Sequence, residues 1–524
     1  MRVYGSPPFD LFRAVDRGSE RVLFLGHVLA TDEELETGPV RHLPGAYSCA
    51  IVTADRVEVH SDRAGQFPLH FSVRGHETLI AHHATLLAEL HSRAPDPLAA
   101  AVQIACPTVL PLTTGRSFFT GIGVYENTLP PVAASLREAL VEAVRRRGTG
   151  VTSDFSGGID STTLAFLAAA HAPVDAVVYH HPHVPTADLA EARRAARLSD
   201  RITLDVVTGT AETLPYRGID AAPDGLDRPA PGLLAHRRAA LRLAWARDRR
   251  SPAHLTGEGA DALFQPPPSY LADLVRRGDL RNWAAHSARL GRMRQTSSLD
   301  LAVRAARLAV TSHDRALRGL GRFLQRPVAT PSRPGEAVGW WSVSGEAAGW
   351  LSPRARASLA DAAADRETAR RVPEGLTPAR HAMLAGIRSA AAAQRFLRTL
   401  GDRIGVAVHA PYLDDAVIGA LLAGPEPRPD PARAKPRLAD AVAGLVPAEV
   451  LTRRTKGAYQ AEEYAGARAA RPEIAALLRD SRLADLGVID PAAVLTTLTR
   501  LNAGAQVPLS ALGRLVALEV WLRR

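Results

Sequence analysis

The stretch Ser153-Asp154-Phe155-Ser156-Gly157-Gly158-Ile159-Asp160-Ser161-Thr162 restricts this chain more than any other. A β-prone lead-in, Val151 and Thr152, runs into Ser-Gly-Gly, and an apolar helical run from Leu164 to Ala170 follows. Strand, glycine turn and helix start together present backbone N–H groups and the positive end of a helix to an anion. Gly157 and Gly158 let the backbone approach a phosphate closely and take angles that a β-carbon forbids. Ser156, Ser161 and Thr162 add hydroxyl donors, and Asp160 is placed to hold a magnesium ion against the same phosphates.

Ser, Gly and Asp are common in ordinary strand-to-helix turns, so a bare Gly-Gly pair would say little. The full string S-G-G-x-D-S after a strand is far more specific. It is not a Walker A loop, because no Gly-Lys-Ser/Thr follows. It resembles the pyrophosphate loop of the ATP pyrophosphatases, which split ATP between its α and β phosphates to adenylate a substrate. That resemblance makes Ser156, Gly157, Gly158, Asp160 and Ser161 the expected contacts to ATP.

The remaining composition bounds the setting. At 524 residues the chain exceeds one core, with about three domains' worth of sequence. Apolar residues make up 46%, and 38 prolines with 40 glycines fit a globular chain. No stretch reads as a signal or as a run of about 18 apolar residues able to span a bilayer. Cys49 and Cys106 are the only cysteines, so neither a disulfide framework nor a cysteine zinc site is expected, and a reducing cytoplasm fits. The net charge of +10 is spread along the chain without an aromatic-interleaved basic cluster, so neither nucleic acid nor membrane is an expected partner. Of 64 basic residues only Lys435 and Lys456 are lysine. In a chain that uses arginine almost everywhere, a lysine suggests that a compact ammonium was needed. Lys435 lies in a Pro- and Arg-rich loop and reads as solvated; Lys456 follows Arg453 and Arg454, which read as a basic patch.

Taken in order, the front of the chain reads as β-rich, with strands over Arg21–Leu29, Ala46–Val52, Val57–His60, Leu69–Val73 and Leu79–Ala81, then a helix over Ala84–His91. Gly115 to Pro131 reads as turn and linker, and Val132–Arg147 as an amphipathic helix. Beyond the Ser156 loop, strands at Ala176–Tyr179, Ile202–Val207 and Ala253–Thr256 alternate with helices at Ala187–Leu198 and Leu234–Arg247. Such alternation predicts a parallel sheet with helices on both faces, and ligands bind at the carboxyl ends of its strands. Tyr179, at one such end, is a candidate wall of the adenine pocket. The His180-His181-Pro182-His183 group reads as loop. At another strand end, Thr256-Gly257-Glu258-Gly259-Ala260-Asp261 brackets one carboxylate with glycines and adds a second three residues on. A metal-bound triphosphate needs more than one carboxylate, and this string resembles the Ser-Gly-Glu-Gly-Ala-Asp-Glu-Leu-Phe segment of asparagine synthetases, a resemblance that implies Asp261 shares magnesium and pyrophosphate with Asp160.

Gly45-Ala46-Tyr47 and Asp62-Arg63-Ala64-Gly65-Gln66-Phe67-Pro68-Leu69 resemble the amino-terminal glutaminase domain of the asparagine synthetase family. Leu255 to Phe264, Val408 to Asp415, and Pro447 to Lys456 resemble its synthetase segments. The resemblance implies an α/β chain: a degenerate Ntn-type glutaminase-like α+β domain (1–114), a linker (115–131), and a PP-loop parallel-sheet domain of the adenine-nucleotide α-hydrolase-like kind with extra helices (132–524). It implies that Gly257 and Arg454 contact the nucleotide, that Lys456 offsets charge as a carboxylate attacks the α-phosphate, and that Glu258 is a candidate base. The family's glutaminase uses a cysteine at the position after methionine; here that residue is Arg2, which predicts a front domain with no glutaminase activity.

Which amide is formed stays open among an ammonia-dependent asparagine synthetase, a β-lactam synthetase and a lasso-peptide cyclase, with a non-catalytic interaction protein as the contrast. The β-lactam enzymes have a tyrosine where Glu258 stands and a glutamate where Ala407 stands. Pro266-Pro267-Pro268-Ser269-Tyr270-Leu271-Ala272-Asp273-Leu274 and His409-Ala410-Pro411-Tyr412-Leu413-Asp414-Asp415 look like the cyclase branch. That reading implies ATP and magnesium, a ribosomal precursor peptide as substrate, and a leader-binding protein and a leader protease as partners.

Overall fold

The computed structural model describes residues 11–126, 128, 134–184, 187–326, 338–423, 433–453 and 460–524. In the front part, β1 (Phe12–Arg17), β2 (Glu20–Val28), β3 (Gly45–Val52) and β4 (Val57–His60) form an antiparallel sheet in that order. β2 alternates as its sequence requires, burying Val22 and Phe24 against Tyr47 and Cys49 of β3. A second antiparallel sheet, ordered β6-β5-β7, contains β5 (His70–Arg74), β6 (Glu77–Ala81) and β7 (Ile122–Val124).

β7 falls inside the stretch read from sequence as turn and linker. Its flanking glycines suggested a turn, but Gly123 is there for close approach: a β-carbon on it would sit 2.4 Å from the Phe71 ring. β1 was not anticipated either, because Phe12–Arg17 carries little apolar alternation and its residues are half-buried or exposed. The helix Pro97–Ala105 buries every residue from Ala99 onward and packs in a large core with the helices Pro353–Ala364 and Leu509–Trp521.

The second part is built on β8 (Thr152–Asp154), β9 (Val174–His180), β10 (Ile202–Thr208), β11 (His254–Leu255) and β12 (Val408–His409). All pair parallel, in the order β10-β9-β8-β11-β12. The chain runs outward from β8 through β9 to β10, then returns to place β11 on the other side of β8. The order therefore reverses between β8 and β11, the switch point at which open α/β sheets take their ligands. The helix Ile159–Ala169 follows β8 and is buried on nearly every side, so its sequence is apolar all round after the first turn.

Helices then dominate, ending in the 27-residue helix Pro378–Ile404, about 40 Å long at 1.5 Å per residue. Thr377 caps it by accepting from Arg380 N, Pro378 opens it, and Gly405 closes it in the left-handed region at φ 88°. Gln394 on this helix accepts from Thr256 Oγ1 at 3.0 Å and donates to Val408 O at 2.8 Å, which ties the helix to β11 and β12.

The Asp62–Leu69 turn joins the two parts. Asp62 accepts backbone N–H groups from Gly65, Gln66 and Phe67 at 2.7–2.9 Å. The turn so formed reaches the Pro411–Asp415 segment: Arg63 N donates to Asp415 Oδ1 at 3.0 Å and Gln66 Nε2 to Leu413 O at 3.0 Å. Arg147 grips Asp414 from the other side with two bonds of 2.7 and 2.8 Å, both side chains almost wholly buried. Burial pushes the Asp414 carboxyl up, and the Arg147 guanidinium opposes that shift. Arg147→Met leaves a buried carboxylate without its cation, and a loss of about 3–5 kcal/mol is expected, read as a lowered urea midpoint.

Candidate active site

The loop after β8 is shaped by what surrounds it. Phe155, fully buried, extends the ladder through its N–H to Val177 O at 2.7 Å. Gly157 then takes φ 68°, and a β-carbon there would lie 2.5 Å from Ala192 N, so only glycine fits. Gly158 caps the helix that begins at Ile159, and its N–H meets Ser156 Oγ at 3.3 Å. Ser161 Oγ stands 3.3 Å from Ser156 N, which folds the two serines onto one face of the turn.

The second loop comes to the same place. A β-carbon on Gly257 would lie 3.0 Å from Ser161 N and 3.2 Å from Asp160 Cβ, so that glycine is what lets the two loops touch. Gly259, at φ 95°, turns the chain into the short helix Ala260–Phe264, with Asp261 in its first turn and partly exposed. Glu258 is half-buried between Gly257 and Gly259. Tyr412, wholly buried, donates its hydroxyl to Asp160 O at 2.9 Å, and burial followed by the Asp160 charge raises its pKa well above the ordinary value.

Between the two loops sits Lys435. Its ammonium contacts Asp160 Oδ1 and lies 2.7 Å from Asp261 Oδ1, with the side chain 5% exposed. The expectation of a solvated lysine is therefore wrong. The surrounding Pro and Arg residues look like a surface loop, but they deliver the ammonium into the cleft. Arg453 likewise is not a solvated patch: its side chain is buried, donating to Ser156 O at 3.2 Å and Asp188 Oδ1 at 3.1 Å. It fixes the carbonyl side of the loop, leaving the N–H side to face a ligand. Arg454 and Lys456 lie outside the described residues. Tyr179 is buried near the end of β9, with its hydroxyl 3.1 Å from Thr213 Oγ1 and Arg238 5.6 Å over its ring.

Below the loop, Asp154 is braced by Arg242 and by His254, at 3.3 Å from Nε2. Burial pushes its carboxyl up, but Arg242 and then His254 outweigh burial and hold it below the usual carboxylate range. His181, buried, is tied through Nε2 to Thr210 O at 3.1 Å. Among the described residues the string Pro266–Leu274 follows directly on the Asp261 helix. Pro266, Pro267 and Tyr270 line a cleft of about 70 Å³ with Met383 and with Pro436 and Arg437, the two residues after Lys435.

Two carboxylates converging on one cation site suit magnesium, which proteins hold by one or two carboxylates plus substrate phosphates. Asp160 and Asp261 are the residues that would hold it. A glycine loop at the switch point of a parallel sheet, facing paired carboxylates and an ammonium, defines a PP-loop nucleotide domain. Residues 135–523 match the asparagine synthase family model, and the chain belongs to that family, whose members are ATP-dependent amide-forming ligases. No curated relative matches the chain significantly. No helix among the described residues is long and apolar enough to cross a membrane.

Two substitutions probe this geometry. Gly157→Ala should weaken ATP binding by roughly tenfold or more through strain and the clash with Ala192 N, measured by equilibrium dialysis. Lys435→Met removes a cation facing the site of developing phosphate charge; turnover should fall by about 10²–10³, followed as ATP-dependent pyrophosphate release.

Proposed function

We propose that this chain closes a macrolactam in a lasso peptide. It adenylates an Asp or Glu side-chain carboxylate of a ribosomal precursor peptide, and the peptide's own amino terminus then attacks. The observation that carries the reading is the meeting of the Ser156–Ser161 loop, Asp160, Asp261 and Lys435 at the sheet's switch point. That arrangement is suited to moving charge between α- and β-phosphates.

A carboxylate oxygen attacks the α-phosphorus, and the bond from that phosphorus to the bridging oxygen breaks, releasing pyrophosphate. Lys435 offsets charge on the phosphate side. Lys456 stands three residues after Arg453 in the sequence, in the segment that resembles the family's Arg-x-Lys. Its role is to meet charge at the α-phosphate. Asp160 and Asp261 would hold magnesium, which would supply further electrostatic stabilisation of the phosphates. The amine nitrogen then attacks the acyl carbon, AMP leaves with its oxygen, and Glu258 takes the amine proton.

On this reading the amine comes with the substrate, and the cysteine of the front sheets does not act as a glutaminase nucleophile. Cys49 is buried in β3, with burial, then Asp415 and Glu58, pushing its thiol up to about 12. A thiol so placed supplies no thiolate at neutral pH. The reading of a peptide rather than a free amino acid rests on the likeness of Pro266–Leu274 and His409–Asp415 to the cyclase branch. The partners on this reading are the precursor peptide, a leader-binding protein and a leader protease, in the cytoplasm.

Mass spectrometry of a core peptide incubated with enzyme, magnesium and ATP should show loss of one water with equimolar AMP. ATP turnover driven by aspartate and ammonia without peptide would instead mark an asparagine synthetase. Cyclisation of a small amino acid would mark the β-lactam branch. Lys456→Ala should raise the barrier by about 2.7–4 kcal/mol, and full turnover in that variant would remove its assignment. Glutamine should not be hydrolysed, and Cys49→Ala should leave peptide-dependent turnover unchanged.

A further inference from the structure

A second cavity, of about 530 Å³, lies between the front sheets and the helical core. None of the Ser156–Ser161 loop, Gly257–Asp261 or Lys435 lines it. The helix Pro378–Ile404 separates the two: Gln394 faces Thr256 of the nucleotide site, while Arg388 and Arg395 face the cavity. Its volume falls in the range of small-molecule and short-peptide sites.

Its walls are unbalanced in charge. Seven arginines line it against four carboxylates, and one of the seven, Arg238, pairs with Glu462 outside the lining at 3.2 Å, which leaves an excess of two cations. Some of these charges are already matched. Arg388 bonds Glu126 and Thr114, Arg395 contacts Asp227, and Asp62 is committed to three backbone N–H groups. Arg514 donates only to the carbonyls of Gln103 and Ile104, at 2.8 and 3.2 Å. Among the described residues Arg228 has no hydrogen-bond acceptor or carboxylate: its guanidinium lies 5.4 Å over the Phe118 ring, and its Nε is buried and unpartnered. His70, 96% buried by its 4% exposure, lines the same wall with neither ring nitrogen hydrogen-bonded.

The electrostatics agree with the geometry. Burial, then the Arg388 charge, lowers Arg228 to about 10; burial, then Arg398, lowers Arg395 to about 9. Burial, then Arg395 and Arg228, holds His70 at about 3. Cations pressed together away from water are the environment an anion relieves. A guanidinium fork fits a carboxylate bidentately. The remaining wall mixes apolar side chains, Val102, Leu112, Phe118 and Ala392 among them, with hydroxyls such as Ser117 and Ser389, which suits an anion carried on a body with both apolar and hydrogen-bonding groups.

We propose that this cavity is a binding site for a carboxylate-bearing peptide segment, its carboxylate paired with Arg228 beside Arg388 and Arg395. The site is independent of whether the enzyme closes a macrolactam, because binding here requires no turnover. The test is isothermal titration of the full chain, with the nucleotide site filled by magnesium and a non-hydrolysable ATP analogue. The probes are acetyl-Ala-Leu-Asp, the neutral acetyl-Ala-Leu-Asn-amide, and inorganic phosphate. The acidic peptide should bind at least tenfold more tightly than the amide and more tightly than phosphate. Arg228→Gln should lose at least tenfold of that affinity while leaving the nucleotide affinity unchanged. Arg116→Gln, a second wall arginine without a side-chain partner among the described residues, should lose affinity in the same direction and keeps the test open should Arg228→Gln not fold. Equal binding of peptide and amide, tighter binding of phosphate, or unchanged affinity in the folded arginine variants would overturn the assignment.

Discussion

The bridge from Lys435 to Asp160 and Asp261 is the contact on which the nucleotide site depends. Asp160 opens the helix after β8 and Asp261 the helix after β11, so two carboxylates from separate crossovers face each other across the switch point. Left alone they would repel. One ammonium, 5% exposed, joins them and sets the distance between the loops. A lysine meets both carboxylates with one compact ammonium, where an arginine would present a planar fork. The near absence of lysine elsewhere in the chain gives this position its meaning.

Around that bridge, support comes from three directions. Arg453 holds the Ser156 carbonyl, Tyr412 holds the Asp160 carbonyl, and Gly257 removes the side chain that would keep the loops apart. Each acts at the backbone, so the loop is fixed from its carbonyl side. The preorganisation needed for electrostatic stabilisation is built from these neighbours.

Much of this was legible in the residues themselves. The strand, glycine turn and helix at Thr152 to Ala169 could be read because local chemistry alone dictates it. The parallel sheet followed from the spacing of strands and helices. Lys435 could not be placed, because it meets Asp160 across 275 positions and its immediate neighbours resemble a solvated loop. Its rarity was a usable signal that pointed instead to Lys456. Arg453 was misread for the same reason: an Arg-Arg-Thr-Lys string looks like surface until its partner, Asp188, is known. β7 was hidden because Gly123 serves packing against Phe71 and not a turn. The family match begins at residue 135, so it does not reach the front part, whose resemblance to a glutaminase domain rests on Gly45–Tyr47 and the Asp62–Leu69 turn.

That turn has a further significance. Asp62 shapes it, and it then grips Leu413 and Asp415, next to Tyr412, whose hydroxyl donates to the Asp160 carbonyl. The front sheets are therefore more than a neighbour to the nucleotide site. Loosening the Asp62 turn would be felt at Asp160, because the contacts from one to the other run without a break through the Leu413–Asp415 backbone and Tyr412. One part of the chain thus serves as scaffolding for the other's chemistry.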